Sequence, residues 1–203
     1  MHVSTTELGD DWTDRWREFH RPAHIGRIHV RAPWHPPSSH GIDIVIDPAQ
    51  AFGTGAHPTT RMCLELLQEL PPRGALADLG CGSGVLAIAS AKLGFGPITA
   101  VDHELAAIVA TESNARDNGV TLERVERCDL REEPAPVETV TVANLVRPLL
   151  LRVAELLPEQ PETLIVSGLL EGDEDEVAAA FAPLRERRRL RLQEWSALLL
   201  TRP

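Results

Sequence analysis

Asp78-Leu79-Gly80-Cys81-Gly82-Ser83-Gly84 sets an acid ahead of three glycines that alternate along the chain. Residues 74–77 before it form a short apolar run of strand length, and residues 85–93 after it carry apolar side chains at helical spacing. The stretch therefore reads as a strand, a glycine turn and a helix start. Glycines in such a turn let the backbone take positive φ and approach a ligand where a Cβ would clash. The free N–H groups of the first helical turn point into the same space. That chemistry is nucleotide binding. A dinucleotide fingerprint would put its third glycine at position 85, and the residue there is Val85. Asp78 would repel a pyrophosphate and attract a cationic group such as an α-ammonium. A ligand with an adenosine end and an amino-acid end fits both facts.

Residues 96–101 read as the next strand, which ends in Asp102, close to the spacing at which an acid takes ribose hydroxyls. The pattern D-x-G-x-G-x-G followed by this acid resembles the class I S-adenosylmethionine-dependent methyltransferases. The resemblance implies an α/β, Rossmann-like fold: a mostly parallel seven-stranded sheet with an antiparallel final strand and helices on both faces. It makes Asp78, Gly80, Gly82, Gly84 and Asp102 candidates for binding that cofactor.

The composition bounds what the rest of the chain can be. At 203 residues it can bury one good core, with room for a short extension. No run of 18 apolar residues is present and residues 1–11 are polar and acidic, so neither a membrane span nor a signal peptide is expected, and the expected compartment is the cytoplasm. Cys63, Cys81 and Cys128 match no zinc or redox spacing and read as small buried residues. A net charge of −10 disfavours wide contact with a phosphate backbone and favours a basic partner.

Residues 1–40 are polar and histidine-rich and read as an extension, with residues 41–203 as the domain. Residues 11–19 suit a short helix carrying Trp12, Trp16 and Phe19 on one stripe, ended by Pro22. His20, His24, His29, His35 and His40 invite a metal, but Pro22 keeps His20 and His24 off one helix face and no metal site is expected. Residues 41–47 alternate Ile42, Ile44 and Ile46 with Asp43, Val45 and Asp47, the period of a strand. A glycine-bracketed loop then leads through Thr59 and Thr60 into a helix over 61–70. Either threonine could be its N-cap, but a cap does not require the Phe52, Gly53 and Gly55 that precede it, whereas a close-approaching backbone does.

Beyond Asp102, residues 104–118 predict a helix with Leu105, Ile108, Val109 and Ala110 inward, closed by Asn118-Gly119. Residues 120–128 predict a strand ending beside Asp129. By the resemblance to class I methyltransferases this strand end lies where the adenine is held and Asp129 accepts from its exocyclic amine; the alternative is a solvated strand end. Residues 138–143 predict a strand that delivers Asn144 to its carboxyl edge, where ligands bind in open parallel sheets. Asn144 followed by Leu145 and Val146 resembles a methyltransferase motif whose asparagine faces the reacting nitrogen; it is also placed to cap a helix over 147–157 that has Pro148 in its first turn, and both roles can hold. A strand over 163–167, a helix over 172–184 and strands over 187–194 and 197–201 complete the chain. The acidic run 171–176 reads as a complement to a helix N-terminus, and the basic run 185–191 as a solvated strand face.

Asp47-Pro48, Phe52-Gly53-Thr54-Gly55, His57-Pro58-Thr59-Thr60 and the glycine stretch together resemble the ribosomal protein L11 lysine methyltransferases. The similarity continues through Ser113-Asn114-Ala115-Arg116-Asp117-Asn118-Gly119-Val120, Val142-Ala143-Asn144-Leu145, Ser167-Gly168-Leu169 and Glu194-Trp195. It implies N-methylation of amino groups of ribosomal protein L11, at lysine side chains or the α-amine. The alternatives are another basic protein, a small amine, or a module that binds S-adenosylmethionine without activity. By the same resemblance Thr60, Gly80, Asp102 and Asn144 contact the cofactor, and Phe52 and Thr54 lie in a loop over its methionine end. Asp78 reaches its ammonium, directly or through water, and Asn144 with Leu145 marks the transfer point. No nucleic acid or membrane partner is implied, and a monomer is favoured. The family usually carries a further N-terminal domain that presents the substrate, and this chain starts at what resembles the interdomain segment.

Overall fold

The computed structural model describes residues 21–48 and 55–203. The expected helix over 11–19 and the loop residues Phe52, Gly53 and Thr54 lie outside them. β1 (Ala23–Ile25) and β2 (Ile28–Arg31) form an antiparallel hairpin, and β3 (Ile42–Val45) joins β2 in parallel. The alternation in the sequence works as it should, since Ile28, Val30, Ile44 and Ile46 point into the core. The expected division after residue 40 thus passes between two hydrogen-bonded strands. His29, one of the five histidines, is buried with its Nδ1 2.9 Å from Asp43 Oδ1. Among the described residues no cluster of three or more groups could hold a metal ion.

α1 (Pro58–Glu69) leads into an alternation of strands and helices: β4 (Leu76–Leu79), α2 (Val85–Leu93), β5 (Ile98–Asp102), α3 (Leu105–Asp117), β6 (Arg124–Arg127), β7 (Val140–Asn144), α4 (Arg147–Leu156), β8 (Thr163–Leu170), α5 (Glu174–Ala180), β9 (Arg185–Leu192) and β10 (Trp195–Thr201). The sheet order is β6-β5-β4-β7-β8-β10-β9. All pairs from β6 to β8 are parallel, and β10 runs antiparallel between β8 and β9, so only the last strand is reversed. β4, β5 and β7 are buried along nearly their whole length, as strands covered on both faces must be. One apolar layer, including Met62, Leu66, Ile88 and Ile165, covers one face, and a second, including Leu79, Val101, Leu150 and Phe181, the other. The chain winds outward from β4 to β6 and then returns to β7 on the opposite side of β4. The carboxyl ends of β4 and β7 therefore flank the switch point where doubly wound sheets bind ligands. Among the described residues no helix is long and apolar enough to cross a membrane.

The face α3 presents differs from the expectation. Ile108 and Ala110 are inward, but Leu105 and Val109 are 65% and 60% exposed. Thr111 and Asn114 take the buried positions instead, because their side chains bond the glycine turn: Thr111 Oγ1 donates to the Gly82 carbonyl at 3.1 Å and Asn114 Nδ2 to the Ser83 carbonyl at 2.8 Å. Asn114 also accepts from Asp47 N–H, and Asn118 brackets the Val45 backbone, so α3 ties β3 to the same turn. Hydrogen bonds to buried backbone outrank two leucine-sized side chains here, since an unpaired buried carbonyl costs about 1–3 kcal/mol.

Candidate active site

β4 ends where the glycine turn begins, and Gly80 and Cys81 donate their N–H groups to the Val101 carbonyl at 2.8 and 2.9 Å, which draws the ends of β4 and β5 together. Asp102 closes the turn from β5: its Oδ2 accepts from Gly82 N–H at 3.0 Å and its Oδ1 from Glu104 N–H at 3.0 Å. A cavity of about 320 Å³ opens at this edge, a volume suited to one small molecule. Thr60, Gly80, Gly82, Asp102, Asp129, Asn144 and Leu145 all line it. Seven residues singled out from the sequence thus face one space.

Two others do not. Gly84 is the N-cap of α2 at φ +80°, and a Cβ there would lie 2.9 Å from Thr111 Cγ2 and Oγ1. The missing Cβ at this glycine lets α2 pack close to α3. Asp78 is 1% exposed and faces the helix, its Oδ2 accepting from Ala87 N–H at 3.0 Å. From this position it does not touch the cavity, so the expected ammonium contact is not a direct one. Burial drives its carboxyl up, the Ala87 hydrogen bond opposes this and the Asp102 charge adds to it, leaving a pKa of about 7.

Asn144 ends β7 half-buried, with Nδ2 3.3 Å from Thr60 Oγ1. It does not cap α4. That N-cap is Val146, with no side-chain hydrogen bond, because the chain takes two further residues to turn before Pro148. Nor does Thr59 or Thr60 cap α1. His57 does, accepting Thr59 N–H at its Nδ1, with Pro58 in the first turn. Thr60 is thereby placed inside the helix, buried, with its hydroxyl toward Asn144. The His57 ring packs edge-on against Trp195 at 5.1 Å, a contact that neither residue's local sequence announces.

Asp129 lines the cavity but is already engaged, since Arg131 Nε lies 2.7 Å from one carboxylate oxygen and Nη2 2.8 Å from the other. Hydrogen bonds from Arg131 hold its pKa at about 2. The thiols supply no nucleophile. Cys63, Cys81 and Cys128 are buried and free, and burial pushes each of them up.

A residue that single-site reading does not reveal is Gly168. β10 pairs Ser196 with Leu169 and Ala197 with Ser167, so Gly168 is left over as a bulge on β8. It takes φ +88°, and a Cβ there would lie 2.2 Å from the Leu145 oxygen and 2.8 Å from its carbonyl carbon. The Leu145 N–H is held by the Ser167 carbonyl at 3.0 Å. The backbone just past Asn144 is therefore seated directly on this glycine. Gly168→Ala is expected to push the Leu145 carbonyl by roughly 1 Å and lower turnover by about 10²-fold, with the native fold retained by circular dichroism. Activity within a few-fold of wild type would show that the carbonyl's position is immaterial.

These donors suit S-adenosylmethionine. A carboxylate at the end of β5 matches a ribose diol, the turn and the first residues of α3 offer close backbone, and polar groups of α1 and β7 line the remaining wall.

Residues 1–203 match the family described as Ribosomal protein L11 methyltransferase (PrmA). A curated ribosomal protein L11 methyltransferase of Geobacter metallireducens is 38% identical over 203 residues, covering 96% of this chain and 67% of its own length. The protein of the same name from Klebsiella pneumoniae is 38% identical over 181 residues, covering 86% and 61%. The chain thus spans about two thirds of the length of these relatives. A crystal structure of ribosomal protein L11 methylase from Lactobacillus delbrueckii subsp. bulgaricus superposes with a TM-score of 0.78 at 26% identity, covering 90% of this chain and 99% of that one.

Proposed function

The chain belongs to the ribosomal protein L11 methyltransferase family, and from that premise we propose that it methylates amino groups of ribosomal protein L11, lysine side chains first, with Asn144 and Leu145 at the transfer point. The observation that carries this reading is that Asn144, Leu145 and Thr60 share one cavity with Asp102. When bound, S-adenosylmethionine would supply an electrophilic methyl carbon on a sulfonium, so that an in-line nitrogen lone pair forms the N–CH3 bond as the S–CH3 bond breaks and a neutral thioether leaves. What remains for the protein is positioning.

Asp102, with two backbone N–H groups fixing its carboxylate, would take the ribose hydroxyls, and Gly82 would let the ligand lie against the turn, while the missing Cβ of Gly80 makes room for the Leu145 side chain. Thr60 Oγ1 accepts the Asn144 Nδ2 hydrogen, and this fixes the amide so that Oδ1 is left to accept from the incoming amine. The Leu145 carbonyl, seated on Gly168, accepts a second amine hydrogen. Two acceptors at fixed positions orient the lone pair. A lysine side chain with pKa near 10.4 is neutral in only about one part in a thousand at pH 7.4; its ammonium gives up a proton to solvent before transfer, and these acceptors orient the neutral amine that results. The net charge of −10 suits a basic protein acceptor. A ribosomal substrate implies the cytoplasm, and the reading needs neither nucleic acid contact nor a second copy of the chain.

Incubation with purified L11 and methyl-labelled S-adenosylmethionine tests the proposal. Label is expected in L11, in residues recovered as methylated lysine or α-amine. Label in other basic proteins or small amines but not in L11 would move the acceptor. Calorimetric binding of the cofactor with no transfer to any ribosomal fraction would reduce the chain to a binding module.

A further inference from the structure

Glu174, in the first turn of α5, is a carboxylate 1% exposed that the transfer step above does not use. Burying a charge is costly unless each of its oxygens is bonded. Its Oε1 accepts from Ser196 Oγ at 2.9 Å and Arg191 Nε at 2.9 Å, and its Oε2 accepts from Gly172 N–H at 2.6 Å. The Ser196 carbonyl accepts from Ser167 Oγ at 3.0 Å, and the Ser167 carbonyl from Leu145 N–H at 3.0 Å. A continuous chain thus runs from a buried charge to the backbone beside Asn144, crossing β8 on the N-terminal side of Gly168 and meeting β10 at the residue paired with Leu169. Burial alone would raise the Glu174 carboxyl, but its hydrogen bonds outweigh this and hold it at about 2, so it stays ionised at working pH. Capping α5 does not account for it, because the side-chain donors to its oxygens come from β9 and β10.

We propose that Glu174 is a positioning residue for methyl transfer, holding the Gly168 bulge through Ser196 and Ser167 so that the Leu145 backbone stands at a fixed place beside Asn144. The inference rests on reading Asn144 and Leu145 as the transfer point. Gln at this position keeps the size but turns an N–H toward Gly172 N–H, and Ser196→Ala cuts the chain while leaving the carboxylate and Arg191 in place. Arg189→Ala is the control, since Arg189 joins β9 to α5 through Asp175 without touching this chain.

Three measurements on the full chain decide it: hydrogen exchange at the Leu145 amide, kcat with L11 and labelled cofactor, and calorimetric Kd for S-adenosylmethionine. Glu174→Gln and Ser196→Ala are each expected to speed Leu145 exchange and lower kcat by about tenfold with Kd within about twofold, whereas Arg189→Ala moves neither. Unchanged Leu145 exchange in Ser196→Ala, or an equal loss in Arg189→Ala, overturns the inference, and Ser196→Ala alone decides if Glu174→Gln does not fold. An active Asn144→Ala would instead sink the reading of the transfer point, whatever the exchange data show.

Discussion

Asn144→Ala is expected to lower kcat for transfer to L11 by about 10²- to 10³-fold while the Kd for S-adenosylmethionine changes less than about tenfold. The asymmetry follows from what the side chain is placed to do. Its Nδ2 is committed to Thr60 at 3.3 Å, so truncation costs the free protein one long hydrogen bond with a hydroxyl. Its Oδ1 has a task only when an amine arrives, and then in a cavity from which bound ligands exclude most water. An acceptor fixed in advance in such a place is worth several kcal/mol, whereas water reorganising around the amine would recover little of it. On the proposed reading the cofactor would retain Asp102, the glycine turn and α3, all of which line the cavity, so its affinity would depend mainly on groups the substitution leaves alone. Single-turnover rates with L11, set beside calorimetric binding of the cofactor, separate the two quantities. A rate within threefold of wild type would remove Asn144 from the transfer step.

The residues legible in the sequence are those whose neighbours in the chain state their task. The acid and alternating glycines at 78–84, the acid closing the next strand and the asparagine at a strand's carboxyl end each combine a residue type with a local period, and topology then brings Gly80, Gly82, Asp102 and Asn144 together. The parallel sheet is legible for the same reason, because largely apolar central strands alternating with helices leave few ways to wind. What local pattern could not carry is set by contacts across the fold. Leu105 and Val109 have the hydrophobicity of inward residues, but α3 is rotated by the hydrogen bonds of Thr111 and Asn114 to a turn about thirty residues earlier. Gly168 is a lone glycine in a strand, a sign of a bulge, but only the register of β10 reveals it. Glu174 stands inside an acidic run that looks like dipole compensation. Its burial depends on Arg191 and Ser196, which arrive on the next two strands, β9 and β10.

Asp78 carries the largest stability effect. Its carboxyl is raised to about 7 in the folded protein, first by burial and with a further contribution from the Asp102 charge, while the unfolded chain titrates near the ordinary 3.8. A raised carboxyl means that between these values the native state binds more protons than the unfolded one, so stability falls as pH rises through the window and levels off above about 7. A shift of roughly three units corresponds to about 4 kcal/mol at the plateau. Glu174, held at about 2, acts in the opposite sense, but its contribution is lost only as pH falls from about 4.5 towards 2, below the window in question. Asn at position 78 keeps the shape and the acceptor for Ala87 N–H and removes the charge. It also places an amide N–H where Asp78 Oδ1 has no hydrogen-bond partner among the described residues, a cost of about 1–3 kcal/mol that applies at every pH. Asp78→Asn is therefore expected to be no more stable than wild type near pH 4.5 and more stable by about 1–3 kcal/mol at pH 8. Urea midpoints taken at half-unit intervals from pH 4.5 to 8 distinguish the two proteins by slope, which is insensitive to the constant amide cost. Parallel curves would mean that the native carboxyl is ionised throughout, and that the N-terminus of α2 stabilises its charge more than burial opposes it.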